Sequence, residues 1–321
     1  MDKKKYVHIG PQFPPLGGVS VHIYRHAKVL RKEGWDVDVV DYSKHNLFHK
    51  LWTIFTLMFF KNIDVIHLHG ADIKSMIAIF VRPYSTKLKF TDHSGRWVSD
   101  LRGFKKFLFI LILKKIDQLI LVGKHIEQYY DSNKIKVPTQ KMLIQNAFLA
   151  PPAEDEAEIW QTYTEETKSF IESHQPLIVA NAFQLIFYNG VDMYGLDMCV
   201  KLIEYIKHTH PNVGLLFALA DESKNEKYLE ETKELIKAIG IQENFYFMTG
   251  QKQLWPIFKQ SDLMIRPTSN DGYGISIDEA LHFNCPVVAS NVCQRNKKAL
   301  LFKNRDIVDM FGKAEEVLSD A

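Results

Sequence analysis

The sequence predicts an α/β protein built from two doubly wound parallel sheets, each in its own domain. Short, almost continuous apolar runs alternate with amphipathic stretches along most of the chain, which is typical of parallel strands covered by helices on both faces. The length of 321 residues suits about two domains. Pro151 and Pro152 precede an acidic stretch, so we expect the domains at residues 1–150 and 151–321.

The first half of the chain contains six apolar runs that we predict to be strands. Between them lie five stretches with helical periodicity, at residues 18–33, 45–60, 72–82, 99–115 and 124–132. The alternation of strand and helix predicts a parallel sheet, since parallel neighbours need a crossover connection between them. The predicted strands are Tyr6–Gly10, Val37–Tyr42, Val65–His69, Leu88–Thr91, Gln118–Val122 and Met142–Gln145.

The second half repeats the pattern after a solvent-facing helix that begins in the acidic stretch at Glu154. Further helices are predicted near residues 195–208, 223–238, 252–260, 275–283 and 305–319. Ligands of such sheets bind outside the carboxyl ends of the strands, so we expect functional residues in the loops that follow the strands. The predicted strands are Leu177–Asn181, Val213–Leu219, Phe245–Met248, Leu263–Arg266 and Val287–Ala289.

Composition and charge exclude several function classes. The 40 basic and 38 acidic residues give a formal charge of +2, so no global field attracts nucleic acid. The three cysteines, Cys199, Cys285 and Cys293, are odd in number and lack metal-ligand spacing, which favours core positions in a reducing compartment. The stretch MDKKKYVHIG enters a strand without an apolar targeting region, and no run approaches about 18 apolar residues. We therefore expect a cytoplasmic protein.

Residues 270–290, NDGYGISIDEALHFNCPVVAS, form the most informative segment. Gly272 and Gly274 let backbone N–H groups approach a ligand, and a helix that begins near Ile275 favours a phosphate at its start. Asp271 and Glu279 provide carboxylates that accept hydrogen bonds from sugar hydroxyls. The segment therefore suits a nucleotide sugar. The alternative is that Asp271 caps the turn and Glu279 is a solvated helix residue.

This segment resembles the signature of retaining GT-B glycosyltransferases, particularly glycosyltransferase family 4. Two acids stand eight positions apart with seven residues between them, and the second is followed by Ala280 and a PVVAS strand. The family usually has Glu first, so Asp271 is a departure that bears on which sugar fits. The N-terminal strand, the loop that ends in Gly17 and Gly18, and the following helix also resemble the opening of the family.

The resemblance implies a GT-B fold, with two Rossmann-like domains facing across a cleft. Residues 1–150 would bind the acceptor and residues 151–321 the donor. It also implies metal-independent transfer with retention from a nucleotide-diphosphate sugar to a polysaccharide or a lipid-linked saccharide, without a cofactor. The absence of an Asp-x-Asp pair at a predicted strand end agrees with a reaction that needs no metal.

The resemblance also implies roles for particular residues. Asp271 would bind the transferred sugar and Glu279 the ribose, and His93, after the fourth predicted strand, would contact the sugar. Backbone groups at two helix starts would face phosphate or acceptor oxygens. Those backbone positions are Gly17, Gly18, Gly274, Ile275 and Ser276. His67 and His69 rank below His93, because alternation along a strand would turn one of them inside.

The loop after the first strand of the second half departs from the family. An Arg and a Lys that serve the diphosphate are usual there, whereas this chain has Asn181 and Gln184 at the first position and Asn189 at the second. Asn189 offers a hydrogen bond to a phosphate but no charge. Arg266, at a strand end five residues before Asp271, is the best substitute cation. Arg96 and Lys124 are the next candidates, whereas Arg295 and Lys297 are interpreted as surface charges.

Two stretches bear on membrane contact. The run 107–113 is flanked by four lysines, and the aromatic-rich stretch 47–62 contains few acids. A cationic rim of this kind would rest on anionic lipid, so that a lipid-linked acceptor enters the cleft. The alternative is that both stretches are core helices. The flanking lysines are Lys105, Lys106, Lys114 and Lys115.

These observations predict a retaining glycosyltransferase of cell-surface polysaccharide biosynthesis, at the inner face of the membrane or free of it. Two alternatives stay open. A non-catalytic subunit that binds a nucleotide sugar or a saccharide is favoured by the missing Arg and Lys. The other is a GT-B-like nucleotide-sugar epimerase.

Overall fold

The computed structural model describes residues 3–13, 17–41, 62–70 and 86–319. The chain divides into two compact units, Met1–Leu149 and Ala150–Ala321, and each contains a parallel sheet of six strands. The predicted α/β class with two doubly wound sheets is confirmed. The helices predicted at 45–60 and 72–82, and the aromatic-rich stretch 47–62 apart from its last residue, lie outside the described residues.

The sheet of the first unit has the strand order β2-β1-β3-β4-β5-β6. All its ladders are parallel, and all six predicted strands are present. The register aligns His8 of β1 with His67 of β3, and His67 with Lys89 of β4. The strands are β1 (Lys5–Ile9), β2 (Asp36–Val40), β3 (Val65–Leu68), β4 (Lys87–Asp92), β5 (Gln118–Leu121) and β6 (Met142–Ile144).

Three α-helices are described in the first unit: α1 (Gly18–Lys32), α2 (Gly103–Lys115) and α3 (Glu127–Ser132). Ala27 and Leu30 of α1 pack on the sheet beside Tyr6. The helix predicted at 99–115 is shorter than expected, because residues 96–100 form a separate 3₁₀ turn and Gly103 has a positive φ of 52°.

The sheet of the second unit has the order β11-β10-β7-β12-β13-β14. The five predicted strands are present. Two strand features were not predicted, the edge strand β14 and the small antiparallel hairpin of β8 and β9, and the helix Glu165–Ser173 was not predicted either. The strands are β7 (Leu177–Gln184), β8 (Phe187–Tyr188), β9 (Val191–Asp192), β10 (Gly214–Asp221), β11 (Phe245–Thr249), β12 (Leu263–Arg266), β13 (Val287–Ser290) and β14 (Leu300–Phe302).

Helices flank this second sheet. The helix predicted in the acidic stretch begins at Glu156, and its Ile159 is buried. None of the described helices is long and apolar enough to cross a bilayer. The helices are α4 (Glu156–Gln161), α5 (Glu165–Ser173), α6 (Leu196–Ile206), α7 (Glu226–Ala238), α8 (Trp255–Phe258), α9 (Ile275–His282) and α10 (Ile307–Ser319).

Two hydrophobic clusters cover opposite faces of the second sheet. Ile178 and Ala180 of β7 belong to one cluster, and Leu177 and Val179 belong to the other. Successive side chains of a strand point to opposite faces, so β7 is buried on both sides. The near-continuous apolar runs in the sequence have this origin.

Each sheet has one point where the strand order reverses. In the first unit the chain passes from β1 to β2 on one side and then to β3 on the other side of β1. In the second unit it passes from β7 through β10 to β11, and then to β12 on the other side of β7. Ligands of open α/β sheets bind at such points, outside the carboxyl ends of the strands.

Candidate active site

A buried ion cluster lies at the reversal point of the second sheet. Arg266 ends β12, and its Nε donates to Asp271 Oδ2 at 2.8 Å. Arg295 Nη1 donates to the same oxygen at 2.7 Å. The side chain of Arg295 is 0% exposed and that of Arg266 is 9% exposed. We call Arg266, Asp271 and Arg295 the arginine–aspartate cluster; its formal charge is +2 − 1 = +1.

The charges of this cluster are fixed at ordinary pH. Burial by itself would raise the pKa of the Asp271 carboxyl, but the guanidinium groups of Arg266 and Arg295 outweigh burial and hold that pKa well below its usual range. The Arg266 guanidinium also lies 5.9 Å from the centre of the Tyr194 ring, within the distance of a cation–π contact. A ligand therefore meets a fixed net positive charge.

The loop from Thr268 to Gly274 folds around the cluster. Arg295 Nη2 donates to Thr268 Oγ1 at 2.9 Å, and Nη1 donates to the Tyr273 carbonyl at 2.8 Å. Gly274 has a φ of +81°, and a Cβ there would lie 2.9 Å from Arg295 Nη1 and 3.0 Å from Arg266 Nε. A glycine is therefore required both by the backbone conformation and by the close approach of the arginines.

The predicted phosphate-binding backbone adjoins this cluster. Gly274 precedes the first residue of α9, Ile275, so the first N–H groups of that helix begin beside the arginines. Arg266 Nη1 donates to Asn181 Oδ1 at 3.0 Å and contacts Ser276 Oγ at 3.3 Å. Arg266 Nη2 donates no hydrogen bond to a described residue, which leaves it available to a ligand oxygen.

The two predicted acids occupy different environments. Asp271 Oδ2 is shared by two arginines, and its Oδ1 accepts the Gly272 N–H at 2.8 Å. Asp271 therefore caps its turn and also anchors the cations. Glu279 lies one turn into α9 and is only 9% exposed, so the alternative of a solvated helix residue is wrong.

Asn189 lies apart from these residues in the hairpin. Asn189 and Gly190 connect β8 to β9, and both have positive φ values, 50° and 76°. Asn-Gly with two positive φ angles fits the type I′ turn of a two-residue hairpin. Asn189 makes no hydrogen bond to the described residues of the cluster. Turn chemistry is thus sufficient to explain the residue that stands where the family usually has a lysine.

The structure places Gly17, Gly18 and His93 in the first unit. Gly17 is extended and exposed, and it precedes α1, whose first residue is Gly18. His93 follows β4, and its Nε2 lies 3.2 Å from His69 Nδ1. Burial lowers the pKa of His93 to about 3, so its ring is neutral at ordinary pH.

His67 and His69 are both buried, so the prediction that only one of them lies inside is wrong. Side chains at positions i and i+2 of a strand point to the same face, and the two ring centroids lie 4.1 Å apart. His67 lies between two hydroxyl groups: its Nδ1 is 2.8 Å from Tyr6 Oη, and its Nε2 is 2.7 Å from Thr91 Oγ1.

The prediction that Arg295 is a surface charge is wrong. Its side chain is fully buried in the ion cluster, whereas Lys297 is exposed. Arg295 follows the end of β13 by five residues, at the same edge of the sheet as Arg266. That position was the available signal. The other candidate cations, Arg96 and Lys124, are exposed residues of the first unit.

Helix α2 exposes two of its aromatic residues. Phe104 is 76% exposed and Phe107 is 57% exposed, whereas Phe109, Ile112 and Leu113 are buried. The core-helix alternative therefore holds for one face of α2 only. The four flanking lysines line the exposed side or its rim: Lys105, Lys114 and Lys115 are exposed, and Lys106 is half-buried.

Comparison with known proteins agrees with this geometry. Residues 172–320, which lie within the second unit, match the family described as Glycosyl transferases group 1. An uncharacterized glycosyltransferase of Methanocaldococcus jannaschii is 22% identical over 222 residues, which are 66% of this chain and 51% of the relative. The chain thus spans about half the length of that relative.

Solved structures share the fold over nearly the whole chain. A glycosyltransferase from Rickettsia africae superimposes with a TM-score of 0.71 at 17% identity, covering 99% of this chain and 89% of that chain. Anabaena HepE in complex with UDP gives a TM-score of 0.66 at 12% identity, covering 99% and 90%. The fold is therefore the GT-B fold that the sequence predicted.

Proposed function

We propose that the protein is a retaining glycosyltransferase that moves a sugar from a nucleotide-diphosphate donor to a polysaccharide or a lipid-linked saccharide. The observation that supports this most is the arginine–aspartate cluster. It holds a net positive charge beside the start of α9, at the reversal point of the sheet whose residues match the glycosyl transferases group 1 family. UDP and UDP-glucose are bound in HepE structures of the same fold, so UDP-sugars are the first donors to test.

The cluster would act on the departing diphosphate. Negative charge develops on the leaving oxygen, and a positioned cation in a shielded site is commonly worth several kcal/mol of the barrier. Arg266 presents Nη2 to that charge, and the buried Arg295 offsets Asp271, so that the cluster stays positive. The N–H groups that begin α9 add donors for the same phosphates. The reaction then requires no metal and no cofactor at this site.

The remaining residues would position the sugar and the acceptor. Glu279 binds the ribose hydroxyls, and Asp271 offers its remaining Oδ1 lone pair to a sugar hydroxyl while it fixes both arginines. His93 would contact the transferred sugar, and Gly17 and Gly18 would admit an acceptor or phosphate oxygen. The acceptor attacks on the face that the phosphate leaves, and the departing phosphate takes the acceptor proton.

The test compares Arg266→Ala with Arg305→Ala. Arg305 is also paired with an aspartate in the second unit, Asp197, but its pair is one-third exposed. We expect Arg266→Ala to lose most of the UDP release from UDP-glucose, or from whichever UDP-sugar is turned over in a donor screen. Arg266→Lys should recover only part of it, because the bidentate fork is lost. Arg305→Ala should transfer normally.

The outcomes also separate the alternatives. A chain that binds UDP in calorimetry but consumes no donor with any acceptor is a binding subunit. A chain that converts the donor sugar without an acceptor is an epimerase. Normal transfer by an Arg266→Ala protein that melts normally would remove Arg266 from the mechanism, and Arg96 and Lys124 would be tested next.

We also propose that the exposed side of α2 rests on anionic lipid. Phe104 and Phe107 are exposed beside lysines, a combination that favours the interface of a negatively charged membrane. The double variant Phe104→Ser/Phe107→Ser should lose co-sedimentation with phosphatidylglycerol vesicles. The control Phe187→Ser changes an exposed aromatic of the second unit and should not. Equal sedimentation of wild type and double variant would remove the membrane from the proposal.

A further inference from the structure

Six histidine side chains lie close together near the carboxyl edge of the first sheet. Contact with a sugar would need only one of them, His93. Ring centroids of neighbouring members lie between 4.1 and 5.9 Å apart. Two sets of three offer ring nitrogens that all lie within 4.8 Å of one another: His8, His67 and His69, and His22, His69 and His93. The sixth histidine is His26.

The inner set, His8 with His67 and His69, is a poor metal site. Both nitrogens of His67 lie at hydrogen-bond distance from hydroxyl groups, Tyr6 Oη and Thr91 Oγ1. All three residues are fully buried, so an ion has no open path to them. A metal site needs free lone pairs and an entry path. His67 has no free nitrogen, and the burial of all three rings leaves no entry path.

The outer set meets both conditions. His22 and His93 are partly exposed, with His69 buried behind them. His22 Nδ1 lies 2.7 Å from the Ala147 carbonyl. A carbonyl only accepts, so Nδ1 holds the proton and Nε2 keeps its lone pair. A metal-binding histidine typically donates its other N–H to a carbonyl or carboxylate in this way.

The distance between His69 and His93 also fits an ion. His69 Nδ1 and His93 Nε2 lie 3.2 Å apart, and either one proton or one cation must separate two lone pairs at that distance. Zinc–nitrogen bonds of about 2.0–2.1 Å in a tetrahedron place the nitrogens about 3.3–3.4 Å apart. The other nitrogen of the same ring, His69 Nε2, lies 2.9 Å from His8 Nδ1. His8 Nδ1 can accept a hydrogen bond from the His69 Nε2–H, and this bond would hold the His69 ring in position.

We propose that His22, His69 and His93 bind a divalent transition-metal ion of the zinc class, with His8 as a positioning residue for His69. Three imidazoles leave a fourth position open to water or a ligand oxygen, and imidazole ligands suit zinc, nickel, copper and iron.

This site does not depend on the proposed transfer reaction, which needs no metal. It does affect that reaction, because an ion on His93 Nε2 removes the nitrogen that would contact the sugar. The ion would therefore inhibit transfer. Binding and inhibition are separate measurements, so failure of the metal site is distinguishable from failure of the glycosyltransferase proposal.

The experiment titrates untagged, chelator-treated protein with Co²⁺, since a polyhistidine tag would itself bind the ion. We expect one Co²⁺ per chain, with the strong visible absorption of four-coordinate cobalt, and displacement by Zn²⁺. His22→Gln and His93→Gln should each weaken binding at least about 100-fold, since even second-shell changes cost 10–100-fold. His208→Gln changes an exposed histidine of the second unit and should bind like wild type.

Two further measurements make the result decisive. Zn²⁺ should raise the melting temperature of wild type but not of His22→Gln, because a ligand of the native state stabilises it. The melting temperature without metal shows whether each variant is folded. If His93→Gln does not fold, the comparison of wild type with His22→Gln is sufficient for the test. Cobalt affinity that is equal in wild type and His22→Gln, or cobalt absorption typical of six-coordinate surface binding, would overturn the proposal.

Discussion

The substitution Asp271→Asn isolates the buried charge pairing of the second unit. It removes the negative charge that two arginines share, and the amide is nearly the same size as the carboxyl. Arg295, at 0% side-chain exposure, and Arg266, at 9%, then keep their charges without a counter-ion. Removing one partner of a buried pair costs about 3–5 kcal/mol, since the remaining charge has lost both its partner and its water.

The expected fall in melting temperature depends on the number of residues in the unit that contains the pair. For a unit of 150–250 residues, 1 kcal/mol shifts the melting temperature by about 2–4 °C, so we expect a fall of roughly 6–20 °C. The matched control is Asp197→Asn. Asp197 pairs with Arg305 at about one-third exposure of each side chain, and such exposed pairs contribute about 0–1 kcal/mol.

The assay is chemical unfolding followed by fluorescence and circular dichroism, with melting curves beside it. If Asp271→Asn and Asp197→Asn lose the same small free energy of unfolding, the arginine–aspartate cluster is not a buried charge network. The assignment of Arg266 and Arg295 as fixed cations would then fail as well. A large loss for Asp271→Asn alone supports both.

Three other predictions test the same region. The stability gap between wild type and Asp271→Asn should begin to narrow as pH falls below about 4. The folded pKa of Asp271 lies below its unfolded value of about 3.9, so its stabilisation is complete above that value and is lost as pH falls through the folded pKa. A gap at about pH 2 that is as large as the gap at neutral pH would contradict this. Glu279→Gln should weaken UDP binding in calorimetry by about 1–3 kcal/mol if the carboxylate pairs with ribose, and unchanged affinity in a folded variant would remove that assignment. Gly274→Ala should lower the free energy of unfolding by at least about 1–2 kcal/mol, the cost of a left-handed non-glycine residue; a variant as stable as wild type would show that the loop and the arginines can move.

The sequence predicted the two sheets well, because their strands are buried on both faces. Residues 177–180 of β7 are apolar at every position, and burial in two hydrophobic clusters requires that. The edge strand β14 has a neighbour on one side only and is three residues long, so its pattern is too short to be distinctive. The hairpin of β8 and β9 has the Asn-Gly signature of a tight turn, but its strands have two residues each.

The sequence predicted those parts of the candidate site whose residues lie close together in the chain. Asp271, Gly274 and Glu279 lie within one loop and one helix, so spacing alone brings them together. Arg295 lies 24 residues from Asp271, and only the pairing of β12 with β13 brings it to the same edge of the sheet. The histidine cluster has the same origin, since α1, β1, β3 and the turns after β3 and β4 contribute rings that the sequence separates widely.

The position of Arg266 supports the proposal that it replaces the basic pair usual after β7 in the family that this chain resembles. The carboxyl ends of parallel strands meet at one edge, so a side chain at the end of β12 reaches the same space as one at the end of β7. Strands β12 and β7 are neighbours in the sheet, and Arg266 Nη1 of β12 donates a hydrogen bond to Asn181 Oδ1 of β7. Asn181 therefore helps to hold in place the arginine that we propose as the substitute cation. An arginine at position 181 would oppose two like charges already buried there, which is a physical reason for a neutral residue at that strand end.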